Sequence, residues 1–266
     1  MALDLAGNRI NSELLLKIAR CPIVERCLNG ETGHGCSKIV LSQGADSTSE
    51  FQSPEPWSGH LSLAPILFLS SNPSIGPAAY DQYPRATWDD EPIIESFEYR
   101  FGGRPRSSIE QGIYHASPAS PRGRRGVKFW IAVRARAAEI LEKPTSQLVP
   151  GTDYALSEVV RCKSRDEVGV AEALATCVRE YLEPTLEASV ASLIVVLGAQ
   201  ARRVISDRYG LESGVLVHGP LQVASRLRQI AFLPHPSGRA PRKTFSGCLD
   251  PSDVKRLKQW LGTPEA

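Results

Sequence analysis

An α/β protein of three layers, with a central, mainly parallel four-stranded sheet, is the fold class that this sequence predicts. Short apolar runs recur at residues 65–70 (PILFLS), 154–160, 193–197 and 229–233, each the length of a strand buried on both faces. Longer stretches with helical spacing lie between them, at 127–141, 170–188 and 200–209. Strands that alternate with helices connect through right-handed crossovers, which makes the strands parallel and covers both faces of the sheet. The 266 residues are expected to form a single domain with an N-terminal cysteine-bearing segment and an irregular insertion at about 77–126.

In chain order, Asn11 is placed to cap a helix over residues 13–20, because its side chain accepts from the free amides of a first turn, and Pro22 stops that helix. Residues 21–53 are polar and glycine-containing; they read as a cysteine-bearing loop with one strand at the apolar run 38–42. The strand at 65–70 gives way to Ser71, Asn72, Pro73 and Gly76, which are turn residues. Residues 77–126 mix Pro, Gly, Arg and aromatic side chains without a lasting period, and such a stretch inside a compact domain is usually functional or partly disordered. A helix over 252–261 closes the chain. Ligands of such sheets sit beyond the carboxyl ends of the strands. That rule gathers residues 70–76, 158–162, 198–201 and 234–239 at one edge.

No apolar run approaches the roughly 18 to 20 residues of a membrane span, and the N-terminus lacks a basic region followed by an apolar one. A cytoplasmic protein without a membrane partner is expected. The net charge is +2, yet arginines crowd into residues 100–106, 122–125, 134–136 and 239–243. Such stripes suit a phosphate backbone and make DNA a candidate partner, although solvated loops carry the same residues. Six unevenly spaced cysteines in a reducing compartment favour metal ligation or burial over disulfides. Cys162 leaves a strand and Cys177 lies on the following helix, so the two meet on a metal only if distant cysteines join them. Cys21, Cys27 and Cys36 are available; Cys248 has no motif around it.

Five segments in order resemble the uracil-DNA glycosylase superfamily: LFLSSNPS, a helix with Phe129 and Trp130, EVVRC with a second cysteine in TCVREYL, IVVLGAQA, and LPHPSGRA. The resemblance runs from about residue 66 to residue 239. Its first segment is similar to that of the mismatch-specific uracil and thymine glycosylases, and its cysteines resemble those of the iron-sulfur branch. What the resemblance implies is a DNA glycosylase that flips out a base, hydrolyses its glycosidic bond and leaves an abasic site, which a separate nuclease would process. A monomer is expected.

The same resemblance makes Asn72 and His235 the catalytic residues. An amide is a poor base, so Asn72 would orient a water toward an anomeric carbon that already has oxocarbenium character. On its own, Asn-Pro-Ser also forms a simple turn. Asp81, Asp89, Asp90 and Glu95 are carboxylates that could assist it. His235 would donate to the carbonyl oxygen of the departing base, Ser237 would bind a phosphate, and Arg239 would wedge into the space left by the flipped nucleotide. Cys162 and Cys177 match the inner ligands of the family's [4Fe-4S] cluster, with the outer two drawn from Cys21, Cys27 and Cys36. Zinc is compatible with the same ligand type. The family's N-terminal Cys-x-x-Cys is missing, because five residues separate Cys21 from Cys27.

Ser71, Ser74 and Glu158 fall at base-reading positions. Relatives that remove uracil commonly carry Asn in the strand of Glu158. A carboxylate only accepts, so it is repelled by uracil O4 and attracted to a 4-amino group. Strand alternation could instead turn Glu158 toward Arg161 or Arg165. Ser74 stands where glycosylases strict for uracil often use a tyrosine that blocks substituents at C5. The expected substrate is therefore a modified cytosine, such as glucosylated 5-hydroxymethylcytosine in phage DNA, with antiviral defence as the setting. A uracil-DNA glycosylase of base excision repair and a non-catalytic iron-sulfur protein that binds damaged DNA are the alternatives.

Overall fold

The computed structural model describes residues 2–75, 83–101, 109–110, 114–115, 127–238 and 244–262. Gly76, Asp81 and Arg239, and most of the insertion with its arginines at 102–106 and 122–125, lie outside the described residues. The predicted α/β architecture holds, with helices around a mostly parallel sheet. The sheet has five strands rather than four. They are β1 (Ile66–Ser70), β4 (Ala155–Glu158), β5 (Leu193–Leu197), β6 (Val217–Val223) and β7 (Arg226–Leu233), in the order β4-β1-β5-β7-β6. The first four are parallel, and β6 runs antiparallel to β7 at the edge. A separate pair, β2 (Ile109–Glu110) and β3 (Tyr114–His115), is antiparallel.

Every residue of β1 and β5 is buried, as befits central parallel strands covered on both faces. Alternation along the strands separates two cores. Leu67, Leu69, Ala155, Ile194 and Val196 face Leu15, Ile18, Val24, Ile39 and Ile205, whereas Ile66, Phe68, Leu156, Leu193 and Val195 face Val133, Ala137 and Leu257. The first layer contains α1 (Ala2–Ala19), α2 (Pro22–Leu28), α3 (Ser37–Leu41), α6 (Val170–Cys177), α7 (Glu183–Ala188) and α8 (Ala199–Tyr209). The second contains α5 (Lys128–Ile140), α9 (Phe245–Cys248) and α10 (Pro251–Gly262). The helix α4 (Asp90–Glu98) packs against α1.

Three local expectations are corrected. Asn11 does not cap a helix; it is buried inside α1, which begins nine residues earlier at Ala2. Tertiary burial of one face outweighs the modest preference of Asn for a cap. The run at 38–42 is not a strand but the single helical segment α3, and residues 22–28 form α2 with Pro22 in its first turn. Five apolar-rich residues are too few for periodicity to separate the two states. The fifth strand, β6, escaped because Gly219 and Pro220 interrupt it; an edge strand tolerates a proline, since one side of it makes no ladder bonds.

The predicted helix over 170–188 is interrupted by a π-helical turn at Val178–Leu182 between α6 and α7. Pro184 explains it: its nitrogen has no hydrogen to give to the carbonyl of Glu180, so the helix widens just before it. At the other end of α6, Gly169 has φ +77°, and a Cβ there would lie 2.2 Å from the backbone nitrogen of Ile39. This close approach seats α6 on α3. Gly169→Ala is expected to destabilise the fold by more than about 1 kcal/mol, read as a lower urea midpoint with an unchanged denaturant slope.

Candidate functional site

The loops that leave β1 and β4 remain paired beyond the strands. Val159 N–H donates to Ser70 O at 3.0 Å, Val160 N–H to Ser71 O at 2.9 Å, Ser164 N–H to Pro73 O at 3.1 Å, and Ile75 N–H to Ser164 O at 3.1 Å. Asn72 is fixed by this ladder. Its Nδ2 donates to Pro73 O at 3.1 Å and to Ser164 Oγ at 3.0 Å, while its Oδ1 accepts from Ser71 Oγ at 3.2 Å. Both amide hydrogens are engaged, and Oδ1 keeps a second lone pair. Ser164 is thus a positioning residue that sequence reasoning missed; its only sequence signal was its place two residues after Cys162. Ser71 is half-buried, and Ser74 is exposed.

Glu158 ends β4 directly beside Ser70. It is buried, and Ser70 Oγ donates to its Oε1 over a long 3.5 Å. Arg161 does not pair with it. The guanidinium of Arg161 donates to Pro56 O at 2.6 Å, to Thr185 Oγ1 at 2.8 Å and to Ser157 Oγ, on the opposite face of the sheet. Behind Glu158 lies a second buried carboxylate that the sequence did not single out. Glu55 forms salt bridges with Arg100 at 2.9 Å and Lys163 at 3.0 Å and accepts from Tyr83 Oη at 2.8 Å. Lys163 Nζ also sits 4.0 Å from the centre of the Tyr83 ring.

The two carboxylates have opposite electrostatic fates. Burial acts to raise Glu55, but Arg100 and Lys163 overcome it and hold the group down at about 2. For Glu158 burial dominates, the charge of Glu55 adds to it, and Arg161, Arg100 and Lys163 only partly oppose it, leaving the group at about 7. Arg100 and Arg136 were read as members of basic stripes facing a phosphate backbone. Both are buried, Arg100 on Glu55 and Arg136 with Nη2 donating to Pro234 O at 2.8 Å, so neither is available to one.

His235 follows β7 on the same sheet edge. Its ring stacks on Phe129, with centroids 5.3 Å apart, and Gly198 brings the backbone after β5 against it: a Cβ at Gly198 would lie 3.3 Å from His235 Cβ. The N–H of Ser237 points to Nδ1 at 3.3 Å, which leaves the proton of the neutral ring on Nε2. Burial, reinforced by the charge of Arg136, lowers the His235 pKa. The ring is therefore a neutral donor at physiological pH. Ser237 itself is exposed. Of the candidate assisting carboxylates, Asp90 is engaged by Arg20 at 2.6 Å, and Asp89 stands at the N-cap position of α4 without a side-chain bond to the helix.

Four of the five candidate ligands converge on one small cavity of about 10 Å³, lined by Cys21, Cys36, Cys162 and Cys177 with Val24, Val40 and Tyr181. The Cys36 thiol donates to Cys177, which lowers Cys177 and raises Cys36, and Tyr181 Oη donates to Cys21 Sγ at 3.2 Å. Cys27 is buried beside them but contacts Ser37 Oγ at 3.5 Å instead. Among the described residues no group of three or more side chains already has metal-holding geometry. The four sulfurs come from four segments and line one cavity, and thiolates are the ligand type of tetrathiolate centres.

No protein-family model matches the chain, and no curated protein matches it either.

Glu158 provides a check on the chemistry of the edge through stability. As pH rises, the unfolded chain releases the Glu158 proton in the ordinary carboxylate range, whereas the folded chain holds it until about 7. Stability falls across that window and levels off above it. Gln has no proton to lose. Glu158→Gln should gain on the wild type by on the order of 1–3 kcal/mol between about pH 5 and pH 8, as measured by urea denaturation. Glu55 titrates in a lower window, where its contribution disappears as pH falls toward about 2.

Proposed function

We propose that the chain is a monofunctional DNA glycosylase that flips out a pyrimidine and hydrolyses its glycosidic bond. The observation that carries this reading is the Asn72 amide. Its two hydrogens are held by Pro73 and Ser164, and Oδ1, which accepts from Ser71 Oγ, keeps a second lone pair at the sheet edge that also carries the neutral ring of His235. Asn72 Oδ1 orients the attacking water. His235 Nε2–H donates to the carbonyl oxygen of the base as negative charge develops there, and stabilising charge as it separates outweighs proton abstraction in such a reaction.

A carboxylate at Glu158 accepts from a 4-amino group, and the small, exposed Ser74 sets no bulk against a C5 substituent, so both residues favour a modified cytosine. Glucosylated 5-hydroxymethylcytosine in phage DNA is such a base, and antiviral defence is the corresponding setting. One observation favours the second reading, removal of uracil: Glu158 lies close enough to neutrality to carry a proton, and a protonated carboxyl can donate to O4. A [4Fe-4S] cluster, held by Cys21, Cys36, Cys162 and Cys177, would supply a structural clamp between the N-terminal helices and the sheet. Zinc is the alternative occupant.

Asn72→Ala and His235→Ala should each lower the single-turnover rate by about 100-fold or more, with DNA affinity largely kept. Duplexes carrying uracil, cytosine, 5-hydroxymethylcytosine or its glucosylated form, followed by alkaline cleavage, provide the assay. Binding without strand scission on all four would leave only a damage-binding protein. For the metal, Cys27→Ser should retain the brown colour and iron content of the purified protein, whereas Cys36→Ser should lose both. Stoichiometric zinc in colourless wild-type protein would replace the cluster.

A further inference from the structure

We infer that the proton on Glu158 acts as the selector of the base: with it the site accepts either a 4-keto or a 4-amino pyrimidine, and without it only the 4-amino edge. The inference rests on the glycosylase reading and deepens it. A protonated carboxyl has one donor and one acceptor, so it can meet O4 and N3–H of a uracil, or N3 and the amino group of a cytosine. The carboxylate has acceptors only, which still take the amino group but repel O4.

The surroundings of Glu158 favour both states. No strong partner fixes its charge among the described residues, since Ser70 lies at 3.5 Å. Glu55 faces it from the segment before β1, Arg100 from the end of α4, and Arg161 and Lys163 from the loop after β4, with Tyr83 behind Glu55. Arg100 and Lys163 are each bonded to Glu55. The guanidinium of Arg161 is taken by Pro56, Ser157 and Thr185. Every nearby cation is thus already claimed, while burial and the charge of Glu55 favour the proton. The balance falls at about 7. Glu55 is therefore a positioning residue for specificity: it withholds Arg100 and Lys163 from Glu158.

The test measures kcat/KM from about pH 6 to pH 8 on oligonucleotides that differ only at position 4 of the base. Uracil with cytosine, and 5-hydroxymethyluracil with 5-hydroxymethylcytosine, are the two matched pairs. Titrations of His235 and of the DNA cancel in the keto-to-amino ratio. That ratio should fall about tenfold over the range in wild type, following the protonated fraction of a group near 7. It should be level in Glu158→Gln, whose amide can turn to meet either edge. In Glu55→Gln the freed cations favour the carboxylate, so the fall should begin at lower pH. If Glu55→Gln does not fold, Glu158→Gln still decides. A level ratio in wild type, an equal fall in Glu158→Gln, or excision confined to one class at both pH extremes overturns the selector while leaving the glycosylase standing. Failure to excise any pyrimidine at any pH overturns the glycosylase reading, and the selector with it.

Discussion

Where two parallel strands end, their last backbone N–H and C=O groups still need partners if the edge is buried. Between β1 and β4 those groups find one another. Four bonds carry the pairing from Ser70 to Ile75 on one side and from Val159 to Ser164 on the other. The register of two loops is thereby as fixed as that of two strands. Asn72 faces Ser164 because of it, and Glu158 lies beside Ser70 because of it. The same continuation delivers Cys162 to the cysteine cavity and Lys163 to Glu55. Loosening this seam would displace the Asn72 amide, the Glu158 carboxyl and the Cys162 thiol together.

Burying a charge network at such an edge is costly unless each ion is paired. Glu55 meets that condition with two cations and a phenol, and so it stays ionised. Glu158 does not, and the protein leaves it near neutrality rather than providing a third cation. The contrast is informative because both carboxyls share one neighbourhood. A stabilising design would pair both; a binding pocket benefits from one group whose hydrogen-bonding capacity remains for the ligand.

The fold was largely legible in the sequence because β1, β5 and the end of β7 are continuous apolar runs and β4 is half-apolar, a pattern that a buried parallel sheet imposes. It failed where the pattern was weakest. β6 is half-exposed and broken by Gly219 and Pro220, and α3 is too short to show a period. The edge residues Asn72, Glu158 and His235 were reached through the resemblance of their segments and the rule that gathers ligands at strand ends. Glu55, Ser164 and Arg136 were not, because nothing local distinguishes them. Glu55 acquires its role only when Arg100 and Lys163, 45 and 108 positions away, fold against it. The choice of Cys36 over Cys27 was equally hidden, since α2 and α3 decide which sulfur faces the cavity.

Arg161 links the two halves of the site. Its guanidinium holds Pro56, just after Glu55, against Thr185 on α7 and reaches Tyr181 O in the π-helical turn at 3.4 Å. Its backbone hydrogen-bonds to the Cys177 thiol. Tyr181 in turn donates to Cys21. The cysteine cavity and the buried Arg161 guanidinium therefore share Tyr181 as a partner, and the charge of Arg161 acts on Glu158 to favour its ionised form. Tyr181, in the widened turn before Pro184, serves both sides, offering its carbonyl to Arg161 and its hydroxyl to Cys21. Arg161 thus ties the wall of the cysteine cavity to the segment of Glu55, whose charge favours the proton on Glu158. Glu158 stands four positions before Cys162, with Arg161 between them.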